Sequence, residues 1–166
     1  MRLFIALPLP ESLKTSLLQW QTKQKEKGTC GSMTAVNMMH ITLVFLGESN
    51  QAKKIEAILA SIPFDSFEIE LEGIGHFKEL YYAKIKDCSA LSSYVNTLRA
   101  ALKENGIAYD AKDFKPHITL IRKARNVQDI ALQKESILCN HVILYESKTI
   151  EGKLTYIPLC IEKSKT

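Results

Sequence analysis

Two histidine-led tetrapeptides carry the residue types for proton chemistry. His40-Ile41-Thr42-Leu43 recurs as His117-Ile118-Thr119-Leu120, at an offset of 77 residues (117 − 40). In an extended strand, successive side chains face opposite sides. Ile41 and Leu43 then point into a core while His40 and Thr42 point together the other way, and the second copy behaves alike. Each copy therefore presents one imidazole beside one hydroxyl. Imidazole gives and takes protons near neutral pH, so a neutral and a protonated histidine together form an acid–base pair. Such a pair suits in-line displacement at phosphorus, where one imidazole deprotonates water and the other protonates the departing oxygen. The threonine hydroxyls can donate hydrogen bonds to the non-bridging oxygens as charge builds there.

A single HxT in a strand is unremarkable, and a lone histidine is more often a surface or core residue than a catalyst. Repetition changes that balance, because packing through Ile and Leu does not require the polar face to be repeated as well. A metal is a poor alternative. Two histidines and two threonines suit zinc badly, and no carboxylate or cysteine accompanies either motif at close range. Neither a metal nor another cofactor is expected. His76 and His141 fall outside the repeat and read as a strand-end residue and a surface residue.

The elements that must position the motifs repeat with them. The same offset sets Leu3 on Leu80, Ile5 on Tyr82, Ala6 on Ala83 and Ser12 on Ser89, which argues for two structural copies. Leu3–Leu7 and Leu80–Ile85 read as strands, each followed by a helix. Leu13, Leu17 and Trp20 recur at helical spacing between Pro10 and Gly28, and Leu91, Tyr94, Val95, Leu98 and Leu102 do so before Gly106. A shorter helix is predicted after each motif, through Ile55, Ile58, Leu59 and Ile62, and more weakly through Val127, Ile130 and Ala131. Strands at 67–71 and 142–145 close the copies, and a last one near Leu154–Ile161 has no counterpart. The expectation is an α+β fold. Two pseudo-symmetric lobes of mostly antiparallel sheet, with helices outside, would surround a central groove. The lobes, about 1–75 and 76–166 with a boundary near Glu72–Glu79, would form a single domain over 1–166.

Size and composition agree with that picture. A chain of 166 residues buries roughly 70% of its unfolded surface and needs no staple. Four dispersed cysteines, Cys30, Cys88, Cys139 and Cys160, form no zinc-type spacing and read as reduced thiols of a cytoplasmic protein. The opening apolar run, cut off by Pro8, is too short for a signal peptide, and no run is long enough to span a bilayer. No membrane partner is expected. A formal charge of +4 is compatible with a polyanionic substrate.

On these residues the chain resembles the 2H phosphoesterase superfamily, whose signature is a pair of HxTx motifs. It is most similar to the RNA 2′,3′-cyclic phosphodiesterases, once described as 2′-5′ RNA ligases. The resemblance runs through Arg2–Pro8, His40–Gly47, Gly75-His76-Phe77, Phe114–Arg122 and Leu144–Ser147. It implies catalysis by His40 and His117, with Thr42 and Thr119 holding the phosphate. The partner would be an RNA end or nucleotide bearing a 2′,3′-cyclic phosphate, the product a 2′-phosphate, and the protein a monomer. The family's usual assignment makes His40 the acid and His117 the base, while the residues alone leave that choice open, and the regiochemistry with it.

Arg122 is often arginine in the family, which implies a phosphate contact. It lies five residues after His117, so strict alternation puts it on the opposite face unless the strand bulges or ends. An arginine pairing with a lobe surface is an equal reading, and its repeat partner is Phe45. The segment Met33–Met39 replaces a tryptophan and a Pro-Glu-Asn-Leu-like turn found in many members, so the groove beside His40 should have its own shape. Other 2H activities, on 2′-5′ linkages or in RNA joining, would use the same four residues. A non-catalytic RNA-end-binding module would need charge more than paired HxT motifs. The residue set predicts that turnover of a 2′,3′-cyclic nucleotide is unchanged by EDTA. Loss of activity on chelation, restored by one divalent ion, would overturn the metal-free chemistry.

Overall fold

Leu3–Leu7, five consecutive buried residues, is the pattern of a strand covered on both faces. In the computed structural model, which describes residues 1–166, it forms β1 (Arg2–Pro8) at the centre of a sheet. Helix α1 (Glu11–Glu26) follows Pro10, and its buried face is Leu13, Leu17, Trp20, Gln21 and Gln24. Gly28, at φ +92°, ends it in a conformation that favours glycine. The Thr29 amide then reaches back to the Gln24 carbonyl at 3.0 Å. Helix α3 (Ser89–Glu104) ends the same way, with Gly106 at φ +71° and the Ile107 amide on the Leu102 carbonyl at 2.9 Å.

The remaining elements are β2 (Cys30–Met33), β3 (His40–Glu48), α2 (Ala52–Ala60), β4 (Phe67–Phe77), β5 (Leu80–Ile85), β6 (His117–Arg125), β7 (Ser136–Cys139), β8 (His141–Ile150) and β9 (Lys153–Lys163). The α+β architecture of antiparallel sheets is present as expected. One sheet runs β3-β1-β8-β9 and the other β2-β6-β5-β4-β7, with every pair antiparallel.

The repeat relates β1 to β5, β3 to β6 and β4 to β8, yet the sheets do not follow the order of the chain. β8 pairs with β1, and β4 pairs with β5. Each half thus lends its third strand to the sheet begun by the other. The helices cross over as well. Gln21 of α1 donates to the Leu120 carbonyl of β6 at 2.9 Å, and α3 packs against β3. One continuous core joins both sheets. No helix is long and apolar enough to cross a membrane.

One predicted element is absent. Residues 127–135 form no helix, because α1 takes their backbone groups. The Trp20 indole donates to the Ile130 carbonyl at 2.8 Å. The Gln24 amide donates to the Gln128 carbonyl at 2.8 Å and its oxygen accepts from the Gln128 amide at 2.9 Å. Thr29 donates to the same Gln24 oxygen at 2.6 Å and to the Asn126 carbonyl at 3.0 Å. Two fully buried amide side chains, Gln21 and Gln24, thus hold distant backbone groups, where the helical pattern alone suggested only Leu and Trp. Gln24→Met keeps the bulk and strands the Gln128 groups. It should cost about 1–3 kcal/mol for a buried unsatisfied group. Urea denaturation with an unchanged slope is the check, and an unaltered midpoint would refute this role.

Candidate active site

β3 and β6 both open on their histidine and show the same burial over their first six residues. Ile41, Leu43, Ile118 and Leu120 are buried in the core, while His40, Thr42, His117 and Thr119 are half-buried. The four polar side chains line one groove of about 1370 Å³. Its walls come from both sheets, with Arg2, Phe45, Lys153 and Tyr156 on one side and Ser32, Leu80 and Arg122 on the other.

Alternation then breaks at the same place in each strand. β1 pairs Ile5 with Val44 and Ala6 with Thr42, which leaves Leu43 as the extra residue of a bulge. β5 pairs Tyr81 with Ile121 and Tyr82 with Thr119, which leaves Leu120 extra. A bulge bends its strand and re-aims the side chains that follow. Leu43 and Val44 are both buried, as are Leu120 and Ile121, and the next residues, Phe45 and Arg122, come onto the groove. Strict alternation therefore fails for Arg122, which shares the groove with His117.

Each imidazole is held from behind. Nδ1 of His40 donates to the Met38 carbonyl at 2.7 Å, and Nδ1 of His117 to the Lys115 carbonyl at 2.8 Å. A carbonyl only accepts, so both Nδ1 atoms carry hydrogen, and Nε2 is the atom left for exchange. Nε2 of His40 lies 2.9 Å from the Thr42 hydroxyl, which donates to it when the ring is neutral. No such bond joins His117 to Thr119. The 3-10 turn Val36–Met38 supplies the Met38 carbonyl and occupies the segment where the sequence departs from its resemblance.

The two rings sit in different surroundings. His40 lies against Phe4 (centroids 5.1 Å apart) and edge-on to Tyr156 (5.3 Å). Burial pushes its pKa below the usual histidine value, the Met38 carbonyl opposes this, and the charges of His117 and Arg122 add to the lowering. His117 lies 5.3 Å from the Tyr82 ring. Burial raises the Tyr156 phenol, against the pull of Arg122. His76 stacks on Tyr81 at 4.9 Å and His141 pairs with Lys163, and neither lines the groove. No three His, Cys, Asp or Glu side chains gather as metal ligands. The residue-level reading missed Phe4, Tyr82 and Tyr156 as neighbours of the histidines. Tyr156 lies on β9, a strand without a repeat partner, so no spacing could have flagged it.

Comparison with known proteins identifies the family and the fold. The model of the 2′-5′ RNA ligase superfamily matches residues 9–145. A protein of Archaeoglobus fulgidus named RNA 2′,3′-cyclic phosphodiesterase is 32% identical over 140 residues, covering 79% of this chain and 77% of its own. The Escherichia coli K12 protein of the same name is 26% identical, covering 95% and 93%. The crystal structure of E. coli LigT complexed with 3′-AMP superimposes with a TM-score of 0.88 at 25% identity, over 99% of this chain and 98% of that one.

The electrostatics give a direct measurement. In NMR titration of the free protein, His40 should ionise below the usual value of about 6.5. His117→Ala and Arg122→Ala should each raise it, since each removes a positive charge. A His40 titration at or above the usual value, unmoved by either change, would contradict the described contacts.

Proposed function

The chain belongs to the 2′-5′ RNA ligase superfamily, and from that footing we propose that it hydrolyses 2′,3′-cyclic phosphate ends of RNA or nucleotides to 2′-phosphates. The observation that carries this reading is the shared groove. His40, Thr42, His117, Thr119 and Arg122 line it together, and both imidazoles are fixed by their Nδ1 bonds. The names of the relatives support the substrate class.

One imidazole takes a proton from water as the water oxygen bonds to phosphorus. The P–O3′ bond breaks on the opposite side, and the other imidazole gives its proton to O3′. Thr42, Thr119 and Arg122 hold the non-bridging oxygens and are worth most when negative charge is greatest. We assign His40 as the acid and His117 as the base, following the family's usual pattern. In the free protein burial and the nearby cations favour neutral His40. An anionic phosphate within hydrogen-bond reach offsets those cations and favours the protonated form. Substrate binding thus charges the acid where it is used.

Products of a 2′,3′-cyclic nucleotide, resolved as 2′- or 3′-phosphates, test the proposal. A 3′-phosphate, or no turnover at all while 2′-5′ dinucleotides are cleaved, would refute it. His40→Ala and His117→Ala should each lower kcat by about 10²–10⁴-fold, and the double variant little further, because the pair acts as a unit. The rate should be bell-shaped in pH, as one ring must be neutral and the other protonated. A rate climbing steadily into alkali would point to hydroxide attack instead.

A further inference from the structure

Arg122 is held differently from the histidines. Each imidazole is tied by Nδ1 to a backbone carbonyl. No carboxylate forms an ion pair with the Arg122 guanidinium. A long side chain without such a tether keeps much of its rotamer freedom, so its aim rests on the strand that bears it.

That strand is irregular on both of its edges. Against β5 the extra residue is Leu120, two before Arg122. Against β2, Ser32 pairs with Arg122 and Cys30 with Arg125. One residue, Gly31, therefore faces two, Lys123 and Ala124, which makes a second bulge directly after Arg122. Lys123 takes the turn at φ +54°, in a region that residues with a side chain seldom visit. Gly31 meets it from β2 at φ +140°. A Cβ on Gly31 would stand 2.9 Å from the Arg122 carbonyl oxygen, 2.9 Å from Cγ2 of Ile121 and 3.0 Å from Cα of Ala124. Two of those atoms are backbone, so they yield only if β6 itself shifts.

The ends of this stretch are pinned. The Leu120 carbonyl accepts from the Thr34 amide at 2.9 Å, and the Ala124 amide donates to the Glu79 carbonyl at 2.9 Å. A displacement forced by Gly31 would be taken up between them, at Arg122 and Lys123. Gly31 does not itself line the groove. The clamp also exists in one half only. β3 is an edge strand, whereas β6 is covered by β2, so the added strand lies where the guanidinium must be aimed.

Resting on the function proposed above, we infer that Gly31 is a positioning residue for Arg122. The close approach of β2 to β6, which a Cβ would block, holds the bulge that turns the guanidinium onto the groove.

The test is a cycle of Gly31→Ala and Arg122→Ala. It is read by kcat/KM on a 2′,3′-cyclic nucleotide and by NMR titration of His40 in the free protein. Losing a hydrogen bond to a charged group costs about ten- to hundredfold, and Arg122→Ala should show that loss. Gly31→Ala should lose about threefold or more, without exceeding Arg122→Ala, and nothing further once Arg122 is gone. Full activity in Gly31→Ala, or an equal loss with and without Arg122, overturns the inference. In the titration, Gly31→Ala should raise His40 toward its value in Arg122→Ala and change nothing in the combined variant. A His40 titration indifferent to Gly31→Ala overturns the inference as well. Should Gly31→Ala fail to fold, the exposed Lys123 carries the same question. Lys123→Gly keeps the left-handed turn and should keep kcat/KM. The β-branched Lys123→Ile resists that turn and should reproduce the Arg122-dependent loss, and equal activity in the two variants overturns the inference. The titration needs no substrate, so it separates this reading from the reaction. If the unaltered protein opens no cyclic phosphate while Gly31→Ala still moves His40 through Arg122, only the proposed reaction falls.

Discussion

The pairing of β1 with β8, and of β5 with β4, is the constraint on which the rest of the molecule rests. β1 and β5 are the inner strands against which β3 and β6 take their register, and that register decides which way His40 and His117 face. Each inner strand needs a partner on its other edge, since an unpaired buried edge leaves backbone groups without hydrogen bonds. In both sheets that partner comes from the other half of the chain. The halves are therefore locked around a shared core, and the groove between the two sheets is fixed in width by the same strands that carry the polar side chains.

Within that frame the site depends on three residues of regular strand followed by one irregularity. Regular alternation sets each histidine beside its threonine. The extra residue, Leu43 or Leu120, then turns the chain so that a third groove residue follows two buried ones. The arrangement is symmetric in backbone and asymmetric in chemistry. One imidazole lies against Phe4 and Tyr156 and is bonded to Thr42, while the other lies against the Tyr82 ring and has no bond to Thr119. Such differences give two like groups unlike surroundings.

What could be read from the sequence was what short-range chemistry dictates. The HxT faces, the helices ended by Gly28 and Gly106, and the alternating strand from Phe67 follow from periods of two and 3.6 residues. The bulges had a local signal too, in the adjacent apolar pairs Leu43-Val44 and Leu120-Ile121, which a strictly alternating half-buried strand would not carry. The exchange of β4 and β8 had none, because an internal repeat gives the order of elements and not their partners. The missing helix at 127–131 shows the same limit. Its weak apolar spacing was outweighed by Trp20, Gln24 and Thr29, about a hundred residues away, which claim its backbone. Tyr156 reached His40 on a strand outside the repeat, through tertiary pairing alone.

The exchanged strands also govern when the protein can acquire its shape. Leu3 sits opposite Glu146 and Phe4 opposite Tyr145, so β1 waits for a strand made much later. Until β8 and β9 have left the ribosome, β1 has a bare edge and β3 lacks a settled sheet. Contacts this far apart in sequence carry a large loop-closure entropy and slow the search for the native pairing. A growing chain cannot bank a finished N-terminal half and then add the second. It must hold its apolar strands in an unfinished state until β8 and β9 have been made.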